Sequence, residues 1–417
     1  MPRTAITILS ICLFFTINSP TFSQIGWKAI DNPAQSWLFC LTFTNENTGF
    51  IAGQYGTVMK STDAGLSWAI KPTPTDQVLL SVHFFDPNNG FICGTNGTII
   101  KTTDAGESWF LGDAPSIYAL NSTAFIDDST GFIVGDYGSI LATQDRGNTW
   151  TQVNSPTVNM LNSVSFSSPL HGMAVGLFGT IIKTDNGGLS WHSVNSPTYK
   201  NFPSVYYIDP SLSFIAGFPG NIYKTTNTGS SWEQQVSHAG TSLRSVFFLN
   251  ANTGYIAGHH GTILKTINGG VTWYLQEPPL LRNLSFVKFL DENTGYIVGR
   301  DGTIFRTTNG GDSPTPVDPN ANLPRSFALM QNYPNPFNPS TIIGFDVPYR
   351  PGFSGSDMVN ITVYDITGKR IAVLVNSEYK AGYYEVEWNA PEMASGVYIY
   401  KFISGDFIES KRMILLK

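Results

Sequence analysis

Short runs of alternating apolar and polar residues recur along the amino-terminal part of the chain. In one copy, the run LSVHFF at residues 80–85 is followed by the turn DPNNG and by a second apolar run that ends at Gly94. The run TIIKTT follows Gly97, and Trp109 opens a fourth run after a turn at Asp104. Alternation predicts strands, because successive side chains of a strand point to opposite faces. Each copy therefore predicts four short antiparallel strands.

Tryptophan fixes the length of the copy. Each of seven tryptophans lies 41 residues after the one before: Trp27, Trp68, Trp109, Trp150, Trp191, Trp232 and Trp273. Four strands in a repeat of about 40 residues are typical of a β-propeller blade. Gly94 and Gly97 recur at equivalent turn positions in all seven copies, which indicates backbone angles that a Cβ atom opposes.

The two ends of the repeat predict a closed ring of seven blades. The last copy begins at Leu284 but carries Pro314 at its tryptophan position, while Trp27 stands one period before Trp68. We expect the strand at Trp27 to complete the seventh blade. A solenoid would instead need a capping repeat at each end.

Three further segments flank the propeller, which we place at residues 24–314. Residues 1–23 have a basic start, a short apolar run and small residues at a cleavage site, which is typical of a secretory signal peptide. Residues 315–326 form a Pro-rich linker. Residues 327–417 alternate again between turns, which predicts a small Ig-like β-sandwich. The predicted fold class is therefore all-β: a seven-bladed β-propeller followed by that sandwich.

Composition narrows the classes of partner. Charged residues make up 13% of the chain, the formal net charge is −6, and lysine and arginine do not cluster. Nucleic acid is therefore excluded as a partner, because binding it requires a basic face. Cys40 and Cys93 follow the signal peptide on different predicted blades. We favour two buried free thiols over a disulfide between them.

The turns before Trp68, Trp109 and Trp150 follow the pattern S/T-x-D-x-G-x-S/T-W, which resembles the Asp-box of bacterial neuraminidase repeats. We expect a structural role, in which the carboxylate accepts hydrogen bonds from backbone N–H groups of its own turn. Calcium binding is the alternative, but several copies replace aspartate with asparagine, which a cation site would not tolerate. We therefore predict no metal and no cofactor. The seven turn residues are Asp63, Asp104, Asp145, Asn186, Asn227, Asn268 and Asn309.

The whole unit, with its GxxGxIxKTxDxGxSW core, resembles the photosystem II stability/assembly factor repeat over residues 27–313. The resemblance implies a propeller that acts as an assembly chaperone, holds a membrane-protein partner and lacks catalysis. The photosynthetic role is not transferred, because the carboxyl-terminal segment indicates a different destination.

That segment contains the phrases NYPNPFNP at residues 332–339, VYD at residues 363–365 and SGVY at residues 395–398. With these phrases it resembles the type A sorting domain of the type IX secretion system. The resemblance implies passage through the periplasm, recognition by the outer-membrane translocon, cleavage by the sortase, and release or attachment to the cell surface. A module that only stabilises the propeller is the alternative. The sorting-signal residues carried over are Asn335, Pro336, Phe337, Asn338, Pro339, Gly396, Tyr398 and Lys417.

Candidate ligand-binding residues lie on the ring face that carries the GxxG turns, which we call the tip face. The residues inside these turns vary while the rest of the unit repeats, and variable loops on a rigid scaffold usually carry binding. His259 and His260 could form a metal pair, but adjacent side chains in a turn diverge and no third ligand is evident. The candidates are Tyr55, Tyr137, Phe178, Phe218, Arg244, Arg282 and Arg300.

Two functions from different classes remain open. The first is a monomeric propeller that binds a protein or glycan ligand, without catalytic residues. The alternative is a sialidase- or xyloglucanase-like glycoside hydrolase. Hydrolysis needs two carboxylates about 5–10 Å apart, and we expect Asp136 and Asp301 to lie on opposite sides of the pore. We therefore favour the binding protein.

Overall fold

The computed structural model describes residues 26–237, 239–312, 324, 326–333, 335–350 and 355–416. The predicted signal peptide, most of the predicted linker and Lys417 lie outside the described residues. Within the described ranges, no helix has both the length and the apolar character needed to cross a membrane.

Residues 28–308 form seven four-stranded antiparallel sheets, the blades. The first three complete blades are β2 Leu38–Phe43, β3 Gly49–Gly53, β4 Val58–Ser61 and β5 Ala69–Lys71; β6 Leu79–Phe84, β7 Gly90–Gly94, β8 Ile99–Thr102 and β9 Phe110–Gly112; and β10 Leu120–Phe125, β11 Gly131–Gly135, β12 Ile140–Thr143 and β13 Thr151–Val153. The next three are β14 Leu161–Phe166, β15 Gly172–Gly176, β16 Ile181–Thr184 and β17 His192–Ser193; β18 Ser204–Tyr207, β19 Ser213–Ala216, β20 Ile222–Thr225 and β21 Glu233–Gln235; and β22 Leu243–Phe248, β23 Gly254–Gly258, β24 Ile263–Thr266 and β25 Tyr274–Gln276. Short 3-10 turns lie at Asp136–Gly138, Leu177–Gly179 and His259–Gly261.

The seventh blade joins the two ends of the propeller. It consists of β26 Leu284–Phe289, β27 Thr294–Gly299, β28 Ile304–Thr308 and, as its outer strand, β1 Lys28–Ala29. Lys28 pairs with Arg306. Trp27 is fully buried, and its indole N–H donates to Gln276 Oε1 at 2.9 Å. This arrangement confirms the predicted split blade.

Apolar side chains fill the space between neighbouring blades. The second strand of each blade is buried almost throughout, as in β7. Trp109 packs edge-on against Phe84 of its own blade and Phe50 of the preceding blade, so it joins the two blades. Cys40 and Cys93 are buried free thiols, as predicted, and burial raises the pKa of Cys40 to about 12.

Serine hydroxyls link the first strands of successive blades, which we call the inner strands. Each Oγ accepts the backbone N–H of the residue 42 positions later, at 3.1 to 3.2 Å. A neutral hydrogen bond contributes about 1 kcal/mol, so these bonds stabilise the ring. Because each bond joins fixed positions on neighbouring inner strands, the bonds also fix the register between blades. The serines are Ser81, Ser122, Ser163, Ser204 and Ser245.

The Asp-box turns are hydrogen-bonded as the sequence predicts. Asp145 Oδ1 accepts the backbone N–H of Thr149 at 2.9 Å, and Oδ2 accepts its hydroxyl at 2.7 Å. In the next blade, Asn186 Oδ1 accepts the N–H of Ser190 at 3.0 Å, and its amide donates to the Ser190 hydroxyl at 2.9 Å. Carboxylate and amide therefore make the same turn.

This equivalence predicts an asymmetric response to substitution at Asp145. We expect Asp145→Asn to leave the melting temperature nearly unchanged, because asparagine supplies the same acceptor. Asp145→Ala should lower it by about 2–5 °C, since it leaves the turn N–H without a partner. Thermal unfolding of the full chain tests both. Equal losses for the two variants would contradict the turn-acceptor role.

The carboxyl-terminal domain is a two-sheet β-sandwich, which agrees with the sequence prediction. One sheet contains β29 Ala328–Leu329, β30 Ser340–Val347 and β33 Gly382–Asn389; the other contains β31 Asp357–Asp365, β32 Arg370–Tyr379, β34 Gly396–Ser404 and β35 Phe407–Leu415. Both sheets contribute to one apolar core. Phe337 lies in this core against Trp388, and Asn335 Oδ1 accepts the backbone N–H of Ile414. Two residues of the sorting phrase thus help to build the sandwich.

Asp346 is a buried carboxyl group of this domain. Its side chain lies on β30, and its Oδ1 has no hydrogen-bond partner among the described residues. Burial raises the pKa of Asp346 to about 7, whereas an exposed aspartate titrates near a pKa of about 3.9. The folded state therefore disfavours the ionised form. This penalty is complete above pH 7 and disappears as the pH falls towards about 4.

The effect of replacing Asp346 on the melting temperature should consequently depend on pH. We expect Asp346→Asn to raise the melting temperature of the sorting domain by a few degrees at about pH 8 and to change it little at about pH 4. Asp406→Asn, at an exposed turn residue, is the control and should have the same small effect at both pH values. A gain for Asp346→Asn that does not vary with pH would contradict the assignment.

Candidate binding face

The turns of each blade lie at two opposite ends of the ring. At one end, the Asp-box turn bonds to the turn between the first and second strands, as from Ala64 N–H to the Asn47 carbonyl at 2.9 Å. At the other end, the GxxG turn bonds to the loops that run between blades, as from Gly97 N–H to the Tyr118 carbonyl at 2.8 Å. The tip face therefore consists of the GxxG turns and these inter-blade loops.

The second residue of most tip turns has a left-handed backbone. The φ angle is 56° at Tyr55 and 55° at both Tyr137 and Phe178. The glycine that follows is left-handed too, and a Cβ at Gly138 would lie 2.0 Å from the Thr157 carbonyl oxygen. Left-handed residues other than glycine are uncommon, and in this chain they also occur in the Asp-box turns, as at Ala64. The sequence showed the glycines but not this conformation of the aromatic residues.

Three of the four predicted tip aromatics are exposed. The exposed fractions are 77% for Tyr55, 67% for Tyr137 and 62% for Phe178. Phe218 is buried, so its predicted place in an exposed aromatic set is wrong. It occupies the first position of its turn, where side chains are more buried than at the second. The second position is Pro219, whose ring fixes φ near about −65° and excludes the left-handed conformation.

The loops between blades extend the exposed apolar surface. Tyr118 packs against Tyr137 with ring centroids 4.4 Å apart, and the two rings line an open cleft of about 520 Å³. The highly exposed Ile117, Val158 and Tyr199 stand 41 residues apart, at one repeat position in successive loops. Aligning the repeats of the sequence with one another would have identified these three residues. We call the combined surface the apolar arc: Tyr55, Ile117, Tyr118, Tyr137, Val158, Phe178 and Tyr199.

The structure brings two of the three predicted arginines together. Arg282 Nη1 lies 3.1 Å from one oxygen of Asp301, and Arg300 Nε lies 3.6 Å from the other. Arg300 also lies over the Trp37 ring. Arg244 stands apart, as the second residue of the inner strand β22. Its side chain reaches solvent.

Polar side chains of this region are largely engaged with one another. Asp136 Oδ1 accepts from the Asn121 amide at 3.1 Å, and Asp301 is held by the two arginines. Between the neighbouring strands β26 and β2, Lys288 donates to Thr42 at 3.4 Å. Burial and then the Lys288 charge lower the pKa of His83 to about 4. Over the described part of the chain, no three histidine, cysteine, aspartate or glutamate side chains group as metal ligands would.

The sequence of the propeller matches a known family. Residues 67–157, 149–239 and 235–336 match the family described as photosynthesis system II assembly factor YCF48. The chain belongs to the YCF48 family. Residues 331–416 match the secretion system C-terminal sorting domain, which confirms the second resemblance. None of the curated proteins in the comparison matches the chain.

Solved structures support the fold of the YCF48 propeller. A structure described as YCF48 bound to D1 peptide has a TM-score of 0.61 and 20% identity, and covers 70% of this chain and 100% of its own. YCF48 from Cyanidioschyzon merolae has a TM-score of 0.58 and 19% identity, covering 68% and 98%. The RRP9 WD40 repeats have a TM-score of 0.58 at 12% identity, covering 69% and 98%. At such identities, the likeness extends to the fold alone.

Proposed function

We propose that this YCF48-family chain is an exported, non-catalytic propeller that binds a protein partner through the apolar arc. The single observation that carries the proposal is the exposure of this arc on adjoining tips and loops. Exposed apolar clusters mark interaction surfaces, and tyrosine and phenylalanine are enriched at protein interfaces. Hydrogen-bonded turns fix the backbone that carries these aromatic residues, so binding does not require the turns to be ordered.

A peptide segment is the type of ligand that we favour. One solved YCF48 structure is described as bound to a D1 peptide, so the family offers a precedent for peptide binding. The cleft that Tyr118 and Tyr137 line has room for side chains of an extended segment. A glycan that stacks on the same rings is the second ligand type, and the experiments below distinguish the two.

The carboxylates of the tip face support a binding role over hydrolysis. A general acid needs a carboxyl group free to exchange a proton with substrate. Asp136 and Asp301 instead form hydrogen bonds and ion pairs within the face. Release of reducing sugar from a panel of polysaccharides by the purified chain would overturn the proposal that the protein is not an enzyme.

The sorting domain supports export by the type IX system. We propose that its partners are the outer-membrane translocon and the sortase, and that the propeller ends as a secreted or surface-attached protein. The binding partner is then a protein that the propeller meets outside the inner membrane.

Site-specific photo-crosslinking in the producing cell tests the location of the partner. A photoreactive phenylalanine analogue replaces Phe178 on the tip face or, as the control, Leu189. Leu189 belongs to the same blade and is 81% exposed, but it lies on the Asp-box side. We expect a protein adduct from position 178 only. Adducts from position 189 alone would remove the tip face as the binding surface.

A further inference from the structure

The sorting domain contacts the tip face through the outer surface of β33. Tyr384, Val386 and Trp388 pack against the core of the sandwich, so the alternate residues Tyr383, Glu385 and Glu387 point outwards. Of these, Glu385 retains only 6% side-chain exposure. A carboxylate loses its hydration when it is buried, and it therefore needs hydrogen bonds or countercharges in return.

The propeller supplies these partners at the tip of the sixth blade. The backbone N–H and the hydroxyl of Ser242 both donate to Glu385 Oε2, at 3.1 and 2.9 Å. His259 Nδ1 lies 3.7 Å from Oε1. Burial alone would raise the pKa of Glu385, but His259 and Ser242 outweigh it and the pKa is lowered. The carboxylate is thus held ionised in a site made by the propeller.

Gly240 marks the place where the two backbones meet. A Cβ at this position would lie 1.4 Å from the carbonyl oxygen of Tyr383. Gly240 occupies the repeat position at which other loops carry Ile117, Val158 and Tyr199. The one loop of this series with a glycine is therefore the one that receives the sorting domain. Next to it, the rings of His260 and Tyr383 lie parallel, with their centroids 6.4 Å apart.

We propose that the propeller has a carboxylate-binding site at Ser242 and His259, and that the sorting domain masks it with Glu385. Removal of the sorting domain frees two hydrogen-bond donors of Ser242 on the same face as the apolar arc. The ligand class of the opened site is an acidic side chain of a protein partner. This proposal rests on the proposed function, because it also places the ligand on the tip face. It adds that the partner carries an acidic side chain and that the sorting domain covers the site for this side chain.

Histidine modification of the full chain tests the masking. Diethyl pyrocarbonate acylates accessible imidazoles, and mass spectrometry resolves each site. We expect Gly240→Ala and, independently, Glu385→Gln to raise the modification rates of His259 and His260 at least 10-fold. His192, on the Asp-box side and 52% exposed, should react equally in all proteins. Glu387→Gln is the matched control on the same strand and should leave both rates unchanged.

Two results would overturn the masking. One is reaction of His259 and His260 in the wild-type chain as fast as that of His192. The other is release by Glu387→Gln to the same extent as by Glu385→Gln. Because the readout uses no partner and alters no residue of the apolar arc, its failure is distinguishable from failure of the proposed function.

A second measurement tests the ligand class on the unmasked Gly240→Ala chain. We expect triglutamate at millimolar concentration to slow modification of His259 at least 3-fold, because a glutamate carboxylate re-enters the site. Triglutamine, which has the same backbone and no side-chain charge, should not slow it. Equal effects of the two peptides would overturn the assignment of a carboxylate site.

Discussion

Replacement of Trp27 by alanine is expected to destabilise the propeller by about 3–5 kcal/mol and to open the ring. The side chain is fully buried, packs edge-on against Phe289 and donates to Gln276. The strand that it anchors, β1, has only two residues. Two paired residues cannot hold the outer edge of the seventh blade once the anchor is lost, because most of the stabilisation of such a short strand comes from packing.

Hydrogen exchange separates ring opening from general destabilisation. We expect amides of β28 to lose protection in Trp27→Ala, since this strand pairs with β1. Trp150→Ala is the matched control, because Trp150 is a buried Asp-box tryptophan inside the ring. It should lower stability by a comparable amount while β28 keeps its protection. The split-blade closure would be contradicted if β28 lost its protection in Trp150→Ala but kept it in Trp27→Ala.

The double substitution Tyr137→Ala and Phe178→Ala is expected to weaken partner binding by about 10- to 100-fold. Both side chains are more than half exposed, so their removal should change the melting temperature by less than about 2 °C. Both also sit on left-handed turns, where alanine is accommodated as it is at Ala64 and Ala105. The loss should therefore be a loss of contact rather than of fold.

Exposed leucines on the opposite side of the ring provide the control for this prediction. Leu66 and Leu189 are 58% and 81% exposed and belong to Asp-box turns. We expect Leu66→Ala with Leu189→Ala to leave the dissociation constant within about twofold of the wild-type value. Binding assays with the partner recovered by crosslinking measure the dissociation constants of both double variants. An equal loss in the two double variants would indicate a non-specific hydrophobic effect.

The repeat made most of the fold predictable from the sequence. Turn glycines, alternating runs and the tryptophan period all describe one blade, and Pro314 and Trp27 at the ends indicate the split blade. The serine hydrogen bonds that join the blades could also have been found, since Ser81 and Ser122 stand one period apart. Information that recurs in every copy can be read from sequence, because each copy supports the same interpretation.

Features that occur once were not predictable in the same way. Phe218 fits the aromatic pattern by composition, but its place one residue earlier in the turn turns its side chain inwards. Glu385 lies on one strand of the sandwich and Ser242 before one strand of the propeller. Their pairing depends on how two domains meet, which no period specifies. Gly240 was the available signal, as a glycine where neighbouring loops carry large apolar residues.

Hydrogen exchange on the purified complex of the full chain with its partner tests the central claim most directly. If the partner binds the apolar arc, amides of residues 116–118, 136–138 and 177–179 should gain protection. The Asp-box turns at residues 145–149 and 186–190 should exchange as in the free protein. Protection confined to the Asp-box turns or to the sorting domain would contradict the account.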